Sequence, residues 1–392
     1  MPVILFAVFI DLLGFGIIVP ILPFLTMKYG GDPLVGTALI SVYSLTSFIM
    51  GPIWGRLSDR IGRRPALALT FFGATLAYIT LGFAESLLML FIARAMSGAT
   101  AGNIGIVMAS MADISDEANR GKALAKIGAA FGLGFAFGPG IGGVLSSVDA
   151  NGEVNILYAG LTAAALSFTA MTLTAFFVPE TAPNKQAHTE QEAKALPTWT
   201  ELLKQPGNFL LLCMFIVMAT GQSISFSITP FWANSMLGWD AEKVGYLMMT
   251  AGILVFFMQM YAVGPLFKAI GEVRALIVGA GVQIFGCLLV IFGPPTAAMA
   301  IVAFPLIMSG ATLAFPALNS LVSRRSCKNS QGTALGLANG FSALGRIAGP
   351  ITAGTAFASS FAAPFYIAIG TALILVVWAS AEIRNKRHAA AL

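Results

Sequence analysis

The sequence predicts an all-α membrane protein whose twelve transmembrane helices form two pseudo-symmetric six-helix bundles. Three observations support this fold class. The 392-residue chain is 57% hydrophobic and only 10% charged, whereas a soluble domain carries about 25% charged residues. Long apolar runs recur along the chain, each near the ~20 residues that cross a bilayer as a helix. Finally, two segments of the second half of the chain repeat two segments of the first half.

The apolar runs divide the chain into twelve predicted spans. They cover residues 3–27, 35–54, 66–84, 87–111, 122–146, 156–178, 208–233, 243–263, 275–293, 296–322, 333–357 and 361–381. The first run contains an aspartate and two prolines, and no basic segment precedes it. We therefore expect a retained helix rather than a cleaved signal peptide.

A short basic segment between the second and third spans sets the expected topology. Residues 55–65 contain four arginines and one aspartate, and we expect them to form a short hairpin loop, called loop 2–3 below. Basic loops mark the cytoplasmic side of a membrane. Most other basic residues outside the spans fall on the same side, and the exceptions are Lys28 and Lys243. The sequence therefore predicts that both termini are cytoplasmic.

The predicted domains follow from one break in the hydrophobic rhythm. Residues 179–207 are charged and polar, with Pro and Ala between, and predict a cytoplasmic linker. The linker separates an N-terminal bundle, 1–178, from a C-terminal bundle, 208–381. A cytoplasmic tail, 382–392, completes the chain.

The two predicted bundles repeat each other in sequence. Residues 121–143 align with 332–354 at an offset of 211, and residues 55–67 align with 264–276 at an offset of 209. Parallel repeats of this kind are related by an axis normal to the membrane, and they place a substrate site near the midplane between the halves.

Loop 2–3 carries the first family resemblance. Its pattern Gly-x-Leu-x-Asp-Arg-x-Gly-Arg-Arg resembles the loop 2–3 signature of the major facilitator superfamily. The resemblance implies a conformational latch, in which Asp113 at the inner end of the fourth span pairs with Arg60 or Arg63. The latch residues are Gly55, Asp59, Arg60, Gly62, Arg63, Arg64 and Asp113. The alternative is ordinary surface pairing, which is worth little.

The fifth span carries a second motif. Small residues let helix backbones approach closely, and proline bends a helix. The glycine-rich run resembles the fifth-helix motif of facilitator antiporters, and the alternative is generic small-residue packing. The motif residues are Gly134, Gly138, Pro139, Gly142 and Gly143.

Asp11 and Arg94 are the candidate proton-coupling residues. Asp11 is the only carboxylate well inside a predicted span, where an ionised acid costs about 2.5–3.5 kcal/mol and is functional by default. Residues 9–16 are similar to the first-helix motif of the twelve-span drug:proton antiporters, and residues 91–99 resemble the family's fourth-helix motif. The resemblance implies coupling between the two charges, which we expect about 8 Å apart in depth. The alternatives are a water-bathed acid at a helix end and a structural role for Arg94.

A candidate substrate cavity rests on polar and aromatic residues within the spans of the second half. Its residues are Gln222, Phe226, Trp232, Asn319 and Arg346. The alternative for such aromatic residues is lipid contact or core packing.

Together the four motifs resemble the twelve-span drug:proton antiporters, and the tetracycline-efflux branch in particular. The resemblance implies a proton-coupled exporter of small, mostly apolar solutes or drugs that works by alternating access and confers antibiotic resistance. We expect the proton as coupling ion, no metal or other cofactor, no nucleic-acid partner, a monomer, and a bacterial inner membrane. The eighth span lacks histidine, unlike tetracycline exporters, which argues against tetracycline itself.

Two alternatives stay open at this point, the second of them from another class of protein. One is a facilitator for an anionic or polar metabolite, with Arg346 binding the anion. The other is a non-transporting membrane receptor or scaffold. An enzyme is not expected, because the sequence contains no catalytic constellation.

Overall fold

The computed structural model describes residues 2–114, 120–148, 154–181, 207–326 and 331–391. These residues form twelve helical spans in the predicted order, several of them built from two helices. The first six spans contain α1 (Pro2–Ile18), α2 (Leu22–Lys28), α3 (Pro33–Ile61), α4 (Arg63–Gly82), α5 (Leu87–Thr100), α6 (Asn103–Asp113), α7 (Arg120–Leu145) and α8 (Leu157–Phe177). A two-stranded antiparallel pair, β1 (Ser147–Val148) and β2 (Val154–Asn155), lies between α7 and α8.

The last six spans contain α9 (Asn208–Leu237), α10 (Ala241–Phe257), a π-helical turn (Met258–Ala262), α11 (Val263–Ile270), α12 (Glu272–Phe292), α13 (Ala297–Thr312), α14 (Ala314–Arg325), α15 (Gln331–Ser359) and α16 (Ala363–Ala391). Within the described residues, ten of the twelve spans are long and apolar enough to cross a membrane. The other two, α7 and α15, are the glycine-rich repeat mates.

Three spans that the sequence predicts as continuous helices are broken. The first span breaks at residues 19–21, where Pro20 removes an amide donor and Pro23 then begins a new helix as one of its first residues. The fourth span breaks at Ala101 and Gly102, and the tenth at Leu313. Hydropathy does not register these breaks, because the apolar run continues through each of them.

Loop 2–3 is much shorter than the predicted hairpin. Helix α3 continues to Ile61 and α4 starts at Arg63, so Gly62 alone separates them. The arginines and leucine of this segment are good helix formers, and they extend α3 beyond the apolar run. Gly62 stops the helix with a φ of +103°, a conformation that a residue with a Cβ rarely adopts. Helix α16 also passes its predicted end at residue 381 and continues to Ala391.

The chain forms two compact units. The first comprises Met1–Asn184 and Pro230–Phe256, and the second comprises Lys185–Thr229 and Phe257–Leu392. The first unit therefore includes the end of α9 and most of α10. The predicted linker, 179–207, lies mostly outside the described residues, so the predicted domain boundaries stay a prediction.

Helix α1 is central to the first unit. Its first half packs Ile4, Val8 and Leu12 into one apolar cluster with α4 and α6. Its second half packs Ile17 and Ile18 into another cluster with α3, α4, α5 and α8. Asp11 directly precedes Leu12 of the first cluster and is partly buried. The second unit has its own apolar cluster, formed by the start of α9 with α12, α14, α15 and α16.

Candidate functional site

Asp11 is held by two hydrogen-bond donors from different spans. Asn103 Nδ2 donates to Asp11 Oδ2 at 2.6 Å, and Ser167 Oγ donates to Asp11 Oδ1 at 2.8 Å. Asn103 begins α6 and Ser167 lies on α8, so the carboxylate joins three spans of the first unit. An ionised carboxylate only accepts hydrogen bonds, and both oxygens have a donor, so the arrangement suits the charged form of Asp11.

The break in the fourth span sets the position of Asn103. Trp54 Nε1 donates to the carbonyl oxygen of Ala99 at 2.6 Å, which anchors α3 at the break. A Cβ built on Gly102 would lie 2.5 Å from the Trp54 ring. The close approach therefore requires glycine, and it directs the start of α6 towards α1.

Arg94 lies on α5 and is buried, with 3% of its surface exposed. Its Nε and Nη2 atoms have no hydrogen-bond partner among the described residues. The ion pairs of the described residues do not include one between Arg94 and Asp11. The coupling role of Asp11 and Arg94 stays a prediction.

Tyr78 of α4 connects these charges electrostatically, and the sequence analysis missed it. Tyr78 is buried and lies close enough to Asp11 and to Arg94 to interact with both. Arg94 also interacts with Tyr43 of α3. One turn beyond Asp11, the Phe15 ring lies 5.0 Å from the Tyr43 ring. Asp11 and Arg94 therefore lie near the same polar and aromatic side chains within the first unit.

The sequence gives only a weak indication of the residues around Asp11 and Arg94 that were not predicted. Asn103, Ser167 and Tyr78 are polar side chains in otherwise apolar spans. Many other serines and tyrosines in the chain fit that description, so only the fold distinguishes these three.

Arg63 is the centre of the ion-pair network at loop 2–3. Its Nη1 atom lies 2.6 Å from Asp59 Oδ1, and its Nε atom lies 3.3 Å from Asp113 Oδ2. Nη1 also donates to Ser58 Oγ at 2.6 Å. The pairing of Arg63 with Asp113 is one of the two that the sequence analysis predicted. Arg60 is exposed, and the latch function of these residues stays a prediction.

Glu180 completes the network, although the sequence analysis placed it in the linker. Its Oε1 and Oε2 atoms accept from the backbone N–H groups of Arg63 at 2.8 Å and of Arg64 at 3.2 Å. Glu180 thus caps the N-terminus of α4, where a negative charge is favoured. The Arg64 guanidinium donates to the Ala175 carbonyl. A Cβ on Gly62 would collide with the Glu180 carboxylate.

Helix α7 presents glycine to two neighbours. Towards α1, a Cβ on Gly134 would lie 2.7 Å from Leu12 Cβ, and one on Gly138 would lie 2.6 Å from Gly16 Cα. Gly142 approaches the carbonyl oxygen of Ile17. Towards α10, a Cβ on Gly143 would lie 2.9 Å from the carbonyl oxygen of Ala241, and a Cβ on Gly245 would collide with that of Pro139. The five motif residues of the fifth span thus bring backbones into contact on two sides.

The candidate cavity residues are divided between the two units. Trp232 is buried in the first unit, and Gln222 and Phe226 are partly buried in the second. Asn319 donates to the carbonyl of Phe315 in its own helix at 3.0 Å, and Arg346 is exposed. Their role in binding substrate stays a prediction.

Among the described residues, twelve helical spans, ten of them long and apolar enough to cross a membrane, define a polytopic membrane protein. Residues 4–350 match the Major Facilitator Superfamily. The chain belongs to that family, and the predicted fold class is confirmed.

Relatives with named activities cover most of the chain. The class E tetracycline resistance protein of Escherichia coli is 29% identical over 350 residues, spanning 88% of this chain and 84% of the relative. Multidrug resistance protein 1 of Bacillus subtilis (strain 168) is 26% identical over 394 residues, spanning 98% and 97%. The crystal structure of the human organic anion transporter MFSD10 aligns with a TM-score of 0.72 at 22% identity, covering 96% of this chain and 98% of that chain. The structural likeness shows the fold.

Proposed function

We propose that the protein is a proton-coupled exporter of small, mostly apolar solutes or drugs that works by alternating access. The observation that carries the proposal is Asp11, an acid deep in a membrane-spanning bundle with a donor on each oxygen. An acid in this position is costly and marks an ion or proton pathway. The names of the relatives, which describe tetracycline and multidrug resistance, support drugs as the substrate class.

The two partners of Asp11 explain how a proton changes the contacts between spans. When Asp11 gains a proton, one of its oxygens becomes a donor. The Ser167 hydroxyl can turn and accept, but the Asn103 Nδ2 group only donates. Protonation on the Asn103 side therefore breaks the present bond between α1 and α6 unless the Asn103 amide turns and accepts with Oδ1, and protonation on the Ser167 side reverses the bond between α1 and α8. Proton loading in this way alters how α1 is held in the bundle.

Arg94 supplies the opposing charge in this scheme. Its unpartnered nitrogens are buried, where an unpaired cation is costly, and it interacts electrostatically with Tyr78, which also interacts with Asp11. Neutralisation of Asp11 removes a negative charge from this region, so we propose that the positions of Tyr78 and Arg94 respond to it. No metal or organic cofactor enters the scheme, in which the proton is the coupling ion.

We further propose that the protein works as a monomer in a bacterial inner membrane with both termini in the cytoplasm. The distribution of the basic loops supports this orientation. The relatives that align over 84% and 97% of their own length are bacterial proteins, which supports the proposal of a bacterial membrane.

Proton flux in liposomes tests the proposal. The purified protein is reconstituted with an internal pH-sensitive dye, and tetracycline and ethidium are added as separate probes under an imposed pH gradient. We expect that addition of at least one probe causes protons to move across the membrane through the protein. We expect Asp11→Asn to reduce this proton flux at least about tenfold. Glu85→Gln is the control, because it neutralises an exposed acid and should leave the flux unchanged. Coupling of wild-type strength in Asp11→Asn would refute the proton site.

A further inference from the structure

The second unit contains an ion pair that is the charge-reversed counterpart of the pair at loop 2–3. At the repeat offset of 209, Arg63 corresponds to Glu272, and at the offset of 211, Asp113 corresponds to Arg324. Arg324 Nη2 lies 2.6 Å from Glu272 Oε1. The same two positions are therefore paired in both halves, with the cation and the anion exchanged.

The contacts around Glu272 extend this pair across several helices. Ser320 Oγ donates to Glu272 Oε1 at 3.1 Å, and the Glu272 side chain is only 14% exposed. The adjacent Arg325 pairs with Glu382 of α16 at 2.5 Å and donates to the Gly207 carbonyl oxygen at 3.2 Å. The start of α12, the end of α14, α16 and the residue before α9 are thus joined at one end of the unit.

The helix dipoles explain the different construction of the two halves. Glu272 is the first residue of α12 and Arg324 is in the last turn of α14, so each charge lies where the dipole favours it. Arg63 begins α4 and Asp113 ends α6, so both lie where the dipole opposes them. In the first half Glu180 supplies the negative charge at the start of α4. In the second half Glu272 fills this position itself.

We propose that Glu272 and Arg324 are positioning residues for transport, which hold the start of α12 against the end of α14 so that these helices move together. The proposal rests on the proposed function, because it assigns the pair a role in the transport cycle. It adds to the pair at loop 2–3 a second pair of opposite charge order in the other half of the chain.

Kinetics of ethidium transport in inverted membrane vesicles test the pair. The variants are Glu272→Gln, Arg324→Gln, the double variant and Arg324→Lys. The matched control is Arg274→Gln, which removes an exposed arginine two residues along α12 that takes part in no ion pair of the described residues. Initial rates over a range of ethidium concentrations separate Vmax from KM.

The expected pattern is specific to a pair. Each single glutamine variant loses about tenfold in Vmax with KM unchanged, because the probe does not contact either residue. The double variant is no worse than the single variants, since each change already removes the same interaction. Arg324→Lys and Arg274→Gln keep wild-type rates. Wild-type rates in both single variants, losses that multiply in the double variant, or an equal loss in Arg274→Gln would each overturn the proposal.

Thermal unfolding of the purified variants separates failure of this inference from failure of the proposed function. If the wild-type protein does not move ethidium, the proposed function fails for this probe, and the pair is then decided by unfolding temperature alone. Arg324 is 66% exposed, so each single variant should unfold about 1–2 °C below the wild type, and the double variant should unfold no lower than the single variants. Additive shifts, or none, would overturn the pair.

Discussion

At the residue scale, the central feature is a carboxylate whose two oxygens are bound by two different spans. Sequence reasoning found Asp11 because an acid within an apolar run is conspicuous. It could not find Asn103 and Ser167 as the partners, since their approach to Asp11 depends on the break in the fourth span and on the packing of α8 against α1.

Asn103→Ala should destabilise the protein by about 1–3 kcal/mol, because it leaves one oxygen of the partly buried Asp11 carboxylate without its donor. Thermal unfolding in detergent measures the effect. Ser110→Ala on the same helix is the control, since that hydroxyl binds only a carbonyl of its own helix, Ile106, at 2.9 Å. An equal effect of the two changes would contradict the assigned role of Asn103.

Gly62→Ala should destabilise the protein by about 1–3 kcal/mol, because it strains a backbone with positive φ. Its Cβ would also displace the Glu180 carboxylate from the start of α4. We expect slower export as well, measured as ethidium efflux from cells. Gly51→Ala lies on α3 with open space around its Cβ, and it should behave like the wild type. Normal folding and efflux in Gly62→Ala would show that the Glu180 contact is dispensable.

At the scale of the element, α7 shows why sequence motifs and packing must be considered together. The glycine spacing in the fifth span predicted close helix packing, and the structure shows such packing on two sides. The sequence did not reveal which helices lie there. In a lipid environment, helix association depends on such close packing rather than on the exclusion of water.

Gly142→Ala should destabilise the first unit by about 1–3 kcal/mol, the usual range for overpacking. The added methyl group collides with the carbonyl oxygen of Ile17, which is backbone and cannot turn away. Thermal unfolding checks the effect. Gly105→Ala in α6 is the control, because its Cβ meets open space. A Gly142→Ala protein as stable as the control would show that α1 and α7 separate readily.

The limits of the span predictions have a common physical origin. The length of the apolar runs predicted the twelve spans, because the thickness of the bilayer fixes how long an apolar helix must be to cross it. It did not locate the ends of α3 and α16, where charged helix formers extend the helix beyond the apolar run. Likewise, it gave no sign that Glu180 would return to loop 2–3, since this contact joins residues that are 117 positions apart.

At the scale of the whole molecule, the proposed orientation has a direct test. A membrane-impermeant maleimide should label Lys28→Cys in intact cells and should label Arg60→Cys only after the membrane is opened. Both side chains are exposed in the structure. The background is a variant with its three cysteines replaced by serine. The reverse labelling pattern would place loop 2–3 outside the cell.

The glycine rows of α7 have a mechanical consequence. Interdigitated side chains resist the sliding of one helix along another, because each side chain must leave the groove in which it packs before the helix can move. The surface of α7 that faces α1 has no side chains at Gly134, Gly138 and Gly142. The surface that faces α10 has none at Gly140 and Gly143. A helix that shifts along such a surface exchanges one backbone contact for the next at little cost in free energy. We therefore expect the helices that pack against α7 to shift along its axis while the interface between them stays closed to water.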